Sequence, residues 1–200
     1  MTYIDTPQLD HLYITFFNQI NYDGPRLAQF ISRTPILVAC NAHVDFYDAI
    51  ASVGFSFYSP CLRDSGIQIL CIEPNRQLSS IAQVFNSCFP PLSMIESLYI
   101  CSQYLDLVWK NDAIQNTLWL ELLLPFPAVK DLYLSADFAP GIAASLQEIV
   151  GTEVLPSLQN IFVEKLEPSR LFQESIGQFV AAREFSGHPI TISVWNGFGR

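Results

Sequence analysis

The sequence predicts an α/β solenoid: a curved parallel sheet of short strands with helices on its outer face. Two observations carry this reading. First, one phrase returns along the chain: a proline, one residue, an aliphatic, two or three residues, an aliphatic, one residue and a last aliphatic. Residues 7–14 spell it with Leu9, Leu12 and Ile14, residues 127–134 with Val129, Leu132 and Leu134, and residues 156–163 with Leu158, Ile161 and Val163. Residues 91–100 carry it in a slightly stretched form, weaker copies end at Val44 and Ile72, and a last strand ends near Ile192. The closing positions Ile14, Val44, Ile72, Ile100, Leu134, Val163 and Ile192 lie 30, 28, 28, 34, 29 and 29 residues apart. Second, alternating apolar residues at each copy give way to helical spacing before the next one.

A period of this length is close to that of long leucine-rich repeats, in which no unit buries its apolar face alone and stacking completes the core. Strands are expected at 11–16, 42–46, 67–72, 97–101, 131–135, 160–164 and 190–194. Leu12 and Ile14, Leu98 and Ile100, Leu132 and Leu134, Ile161 and Val163, and Ile190 and Ile192 point inward, since alternate side chains share one face.

Helices fill the intervals. Pro25 suits a first helical position before Leu27, Phe30 and Ile31. Ser79 and Ser80 precede Ile81, Val84 and Phe85, and Pro90–Pro91 stops that element. Ile114, Leu118, Leu122 and Leu123 recur at helical spacing up to Pro125. Pro140 opens a helix with Ile142, Leu146, Ile149 and Val150, and Gly151 falls just past its end. Ser169 caps a helix carrying Leu171, Phe172, Ile176, Phe179 and Val180 and stopping near Gly187. A helix between successive strands implies parallel pairing, because the chain must be carried back across the sheet. The stretch 54–66 fits no helix and reads as an irregular loop, and Trp109 to Asp112 as a loop before the next helix.

Half of the 200 residues are hydrophobic and 14% are charged, enough apolar content for one domain spanning 1–200. The formal net charge is −9, with ten Lys and Arg in all. That balance argues against nucleic acid and anionic membranes and favours neutral or basic partners. The odd cysteine count, Cys40, Cys61, Cys71, Cys88 and Cys101, without a Cys-x-x-Cys pair, reads as reduced thiols in the cytoplasm or nucleus. The N-terminus lacks the basic and apolar regions of a signal peptide. The most apolar run, 118–124, is far shorter than the ~20 residues of a membrane helix.

No chemistry is spelled out. His43 follows Cys40 by three residues, but no second Cys-His cluster completes a zinc site. No Gly-x-Ser-x-Gly elbow, phosphate loop or dinucleotide fingerprint occurs. The expectation is a protein that is not an enzyme, with no catalytic residue, no metal and no cofactor.

One constellation stands out. With Leu132 and Leu134 inward, Asp131, Tyr133 and Ser135 face the open side of the sheet. The same register exposes Tyr13, His43, Tyr99 and Phe162, a ladder interrupted at Cys71 and flanked by Asp45, Asp131 and Glu164. Strands stack ~4.8 Å apart, so these side chains meet. Two readings stay open here. The ladder anchors a partner, as aromatics do at interfaces, or it shields the sheet.

The phrases, with the stretches 111–126 and 155–163, the opening 4–9 and Trp195, resemble the leucine-rich-repeat-like C-terminal region of fungal F-box proteins over nearly the whole chain. In that family an F-box docks onto the adaptor of a cullin-type ubiquitin ligase, and the repeats hold the substrate. The resemblance implies the recognition half of such a receptor, a fragment of a longer array with no F-box ahead of its first phrase. The adaptor is then a partner only if an upstream F-box exists. A protein substrate is expected on the open face, bound through Tyr13, His43, Tyr99, Asp131, Tyr133, Phe162 and Glu164. The alternative is a truncated or degenerate repeat protein with no selected partner.

Overall fold

The structure, a computed structural model, describes residues 13–17, 40–46, 50–56, 65–70, 74–88, 92–102, 113–147, 154–164 and 170–197. Four strands come first: β1 (Tyr13–Phe17), β2 (Asn41–Phe46), β3 (Ile50–Ser56) and β4 (Ser65–Leu70). Helices and strands then alternate: α1 (Pro74–Cys88), β5 (Ser97–Ser102), α2 (Ala113–Leu123), β6 (Asp131–Leu134), α3 (Ala139–Gln147), β7 (Asn160–Glu164), α4 (Arg170–Phe185) and β8 (Thr191–Trp195). The strands form one sheet in the order β1-β4-β3-β2-β5-β6-β7-β8. Among them β3 alone runs against the rest, because it pairs antiparallel with both β2 and β4 while every other pairing is parallel. The chain is thus α/β with a mostly parallel sheet.

From β5 onward the expected order holds. Each helix returns the chain to the same end of the sheet, so sequential strands become parallel neighbours. The repeated phrase has a backbone counterpart. A tight turn precedes β5, β6 and β7, with Ile95 N–H donating to Leu92 O, Val129 to Phe126 O and Leu158 to Leu155 O. The apolar residues bracketing these turns are all buried. Beside each turn one carbonyl takes two N–H donors from the next unit: Cys40 O from Glu96 and Ser97, Glu96 O from Lys130 and Asp131, Lys130 O from Gln159 and Asn160. The phrase therefore encodes a turn, a two-residue docking onto the preceding unit, and a strand.

Before β5 the strands expected at 11–16, 42–46 and 67–72 are present as β1, β2 and β4, but their order and the all-parallel pairing are not. The interval between Val44 and Ile72 holds an additional strand, β3, which takes in the first three residues of the loop expected over 54–66, while β4 takes in the last two and 57–64 lie outside the described residues. Ala51, Val53 and Phe55 alternate with Ser52, Gly54 and Ser56, and the apolar set joins the core. Because β3 occupies the edge of β2, β1 pairs with β4 and not with β2. The loop at 109–112, the helix begun at Pro25 and the site of Cys71 lie outside the described residues.

The core is a single cluster between the sheet and the helices. Val44, Ile100, Leu134 and Val163 form one buried row in register, and Ala42, Leu98, Leu132 and Ile161 another. Helix residues Leu78, Ile81, Phe85, Trp119, Leu122, Ile142, Leu146, Ile176 and Phe179 pack onto them. Phe46 meets both Trp119 and Phe138 edge-on, which ties β2 to α2 and to the turn before α3. Helix α1 starts earlier than expected, with Pro74 in the opening position that its fixed φ favours. On β8 both inward rows run out: Ile192 and Val194 are 42% and 66% exposed.

Candidate interaction surface

The opposite face of the sheet carries three rows of side chains. The first lies at the beginnings of the strands: Asn41, Ser97, Asp131, Asn160 and Thr191 stand in register. The amide of Asn160 donates to Asp131 Oδ1 at 2.7 Å, and the hydroxyl of Thr191 donates to Asn160 Oδ1 at 2.5 Å. This chain of polar contacts fixes the Asn160 amide, because its oxygen and its nitrogen face different partners. Lys130 and Glu96 pair at 2.8 Å beside it, and the contact raises the Lys130 pKa.

The second row is aromatic. Its register reads Tyr13, Gly66, Gly54, His43, Tyr99, Tyr133, Phe162 and Ser193 from β1 to β8. His43 stacks on Tyr99 with centroids 4.6 Å apart, Tyr99 on Tyr133 at 4.2 Å and Tyr133 on Phe162 at 4.4 Å. The planes are 6°, 13° and 10° from parallel. Such pairs are each worth about 0.5–1.5 kcal/mol beyond their buried area. The expected ladder is therefore formed from β2 to β7. Tyr13 stands in register with this row, with Gly66 of β4 and Gly54 of β3 between it and His43.

The third row lies toward the ends of the strands. Asp45 stands opposite Ser52 on one side and Cys101 on the other, and Glu164 stands opposite Trp195. Trp195 reaches back over the face. Its indole lies edge-on to Tyr133 at 5.3 Å and tilted to Tyr99 at 6.1 Å. Gly197, at φ +70°, turns the chain past Glu164, where a Cβ would sit 2.5 Å from Glu164 Oε1.

Burial divides the predicted site. His43 is 1% exposed, Tyr99 6% and Asp45 0%, so this half of the face is covered and does not meet a partner in this state. The expectation of an open face is corrected there. Trp195 supplies part of the cover over Tyr99. Asp131, Tyr133, Phe162 and Glu164 remain partly exposed, and Thr191 and Ser193 are exposed. Burial raises the pKa of Tyr99, with the neighbouring Tyr133 adding to it. Burial and then the charge of Asp131 raise that of Tyr133. Both phenols are neutral at ordinary pH.

No family model, curated protein or solved structure matches this chain. The site is thus read from its own chemistry. In a stack, each inner ring has both faces covered by its neighbours and shows only its edge. The arrangement suits broad contact with a surface and not the insertion of a flat ligand between rings. Among the described residues, no group of three or more His, Cys, Asp and Glu side chains is placed to hold a metal ion. Among them too, no helix is long and apolar enough to cross a membrane. The Cys40 side chain is exposed and that of Cys101 buried.

Sequence reasoning missed the Asn160 relay and the return of Trp195. The first was available: aligning the phrases puts Ser97, Asp131, Asn160 and Thr191 at one position. The second depends on which way the indole at the end of β8 is turned, and no periodicity reports that.

Proposed function

We propose that this chain is a non-enzymatic protein-interaction module, a leucine-rich-repeat-like solenoid that serves as the substrate-recognition part of an F-box-type ubiquitin-ligase receptor in the cytoplasm or nucleus. The observation that carries the interaction reading is the aromatic stack. It emerges from cover at Tyr133 and Phe162, on a face no described helix packs against, with Asp131 and Glu164 beside it. Large rigid rings next to carboxylates are what protein interfaces use as anchors and rim. His43 and Tyr99 act behind them as backing that holds the outer rings upright. The recurring turn-and-strand unit supports the solenoid reading, and the phrase resemblance supports the receptor class.

The test is a photo-reactive phenylalanine analogue placed at position 162 in cells, followed by identification of what it captures. Capture of a defined protein that accumulates on proteasome inhibition, and that is lost when Tyr133→Ala is added, is the expected result. Capture that ignores Tyr133→Ala while the fold persists overturns the assignment of this face.

A further inference from the structure

We propose that the end of the aromatic stack, over Ser193, receives an arginine side chain of the partner; this rests on the interaction reading above and narrows it. The stack has two ends. The His43 end is buried. At the other end Phe162 has Tyr133 against one ring face, the only ring against it among the described residues. The register position beyond its other face belongs to Ser193, whose side chain is too short to cover a phenyl ring. Phe162 is partly exposed and Ser193 exposed. The spacing of the sheet thus leaves one stacking place, about one strand separation of ~4.8 Å beyond Phe162.

Charge selects the occupant. Glu164 lies two residues after Phe162 on the same strand and face, and among the described residues no cation pairs with its carboxylate. The chain as a whole carries −9. A guanidinium is planar, stacks on an aromatic face and bonds to a carboxylate through its fork, which an ammonium cannot do. A neutral aromatic ring would use the stacking face but leave the carboxylate unanswered. Among the described strands β8 is the edge of the sheet, and Thr191 to Val194 are exposed, so an extended segment can approach beside Ser193 and run along that edge.

The first test builds the contact within the chain. Ser193→Arg places a guanidinium beside the Phe162 ring, and Ser193→Lys is the control. The thermal midpoint is expected to rise for arginine above lysine, and the difference to vanish in Phe162→Leu and in Glu164→Gln backgrounds. Equal midpoints for arginine and lysine, or a difference that survives both backgrounds, overturn the proposal. The second test titrates N-acetyl-arginine methylamide, with the lysine and citrulline analogues, into protein with labelled phenylalanine rings. Arginine is expected to bind about two- to fivefold more tightly than either analogue and to shift Phe162. No preference, or shifts elsewhere, overturns it. Sedimentation showing a dimer that Ser193→Trp disrupts assigns the place to a second copy and also overturns it. A captured partner that is lost on Tyr133→Ala but indifferent to Ser193→Trp and Glu164→Gln removes the arginine place and leaves the interaction face standing.

Discussion

The indole N–H of Trp195 donates to the carbonyl of Leu134, 3.3 Å away and 61 residues earlier in the chain. Leu134 is the last residue of β6. One bond therefore pins the end of β8 to the middle of the sheet and lays the indole over Tyr99 and Tyr133. Trp195→Phe keeps most of the ring packing and removes the donor, at an expected cost of about 0.5–1.5 kcal/mol. Trp195→Ala loses both and is expected to cost more, with Tyr99 becoming accessible to quenchers. Urea midpoints and tyrosine fluorescence quenching check this; equal losses for the two variants would show that the hydrogen bond, not the packing, holds the segment.

Leu134 and Tyr133 are neighbours on one strand with opposite fates. Leu134 is 0% exposed in the core, whereas Tyr133 is partly exposed on the other face. Leu134→Ala is expected to cost about 2–5 kcal/mol, the lost transfer energy plus the cavity left behind. Tyr133→Ala is expected to cost clearly less, because its site opens to water on one side. Equal losses in a denaturant titration would place the strand in the other register.

Asn160 bridges three strands by bonding Asp131 on one side and Thr191 on the other. Asn160→Ala leaves both partners without their described contact. The expected cost is about 1–3 kcal/mol, above that of Lys130→Ala, which breaks an exposed pair worth about 1 kcal/mol or less. Hydrogen exchange is expected to rise first at the starts of β7 and β8. Protection there that matches the unaltered chain would show that backbone pairing alone sets that edge.

The strands from Ser97 onward were readable because a single device repeats: turn residues, a two-residue docking, then alternation with one face buried. The helix ends were readable where proline or glycine marks them. The strand Ile50–Ser56 was not, although Ala51, Val53 and Phe55 alternate as a half-buried strand should. Its other face holds only Ser52, Gly54 and Ser56, so it lacks the bulky outward residues that mark the remaining copies. Its end reads instead as the start of an irregular loop over 54–66. The ladder was legible from Tyr99, Tyr133 and Phe162 because parallel neighbours align by phrase. The burial of His43 was not, because a strand pattern reports which face a side chain is on but not what lies above it.

The two inner tyrosines also set a pH limit. Folding raises the pKa of Tyr99, chiefly through burial, and that of Tyr133 through burial and the nearby Asp131 carboxylate. The free phenol ionises near pH 10. Below that value both the folded and the unfolded chain hold these protons, and the stabilisation is fully present. Above it the unfolded chain loses them first, so it binds fewer protons than the folded one and stability falls with rising pH. The loss continues until the pH passes the raised folded values. The thermal midpoint is therefore expected to drop more steeply above about pH 10 in the native chain than in Tyr99→Phe, which keeps the stacked ring but has no proton to lose. Tyr133→Phe is expected to flatten the profile less, since its ring is the more exposed of the two. Absorbance at the phenolate band should show the corresponding protons released only on unfolding. A Tyr99→Phe profile parallel to the native one would mean that the phenol of Tyr99 reaches water in the folded protein and that the face is not covered there.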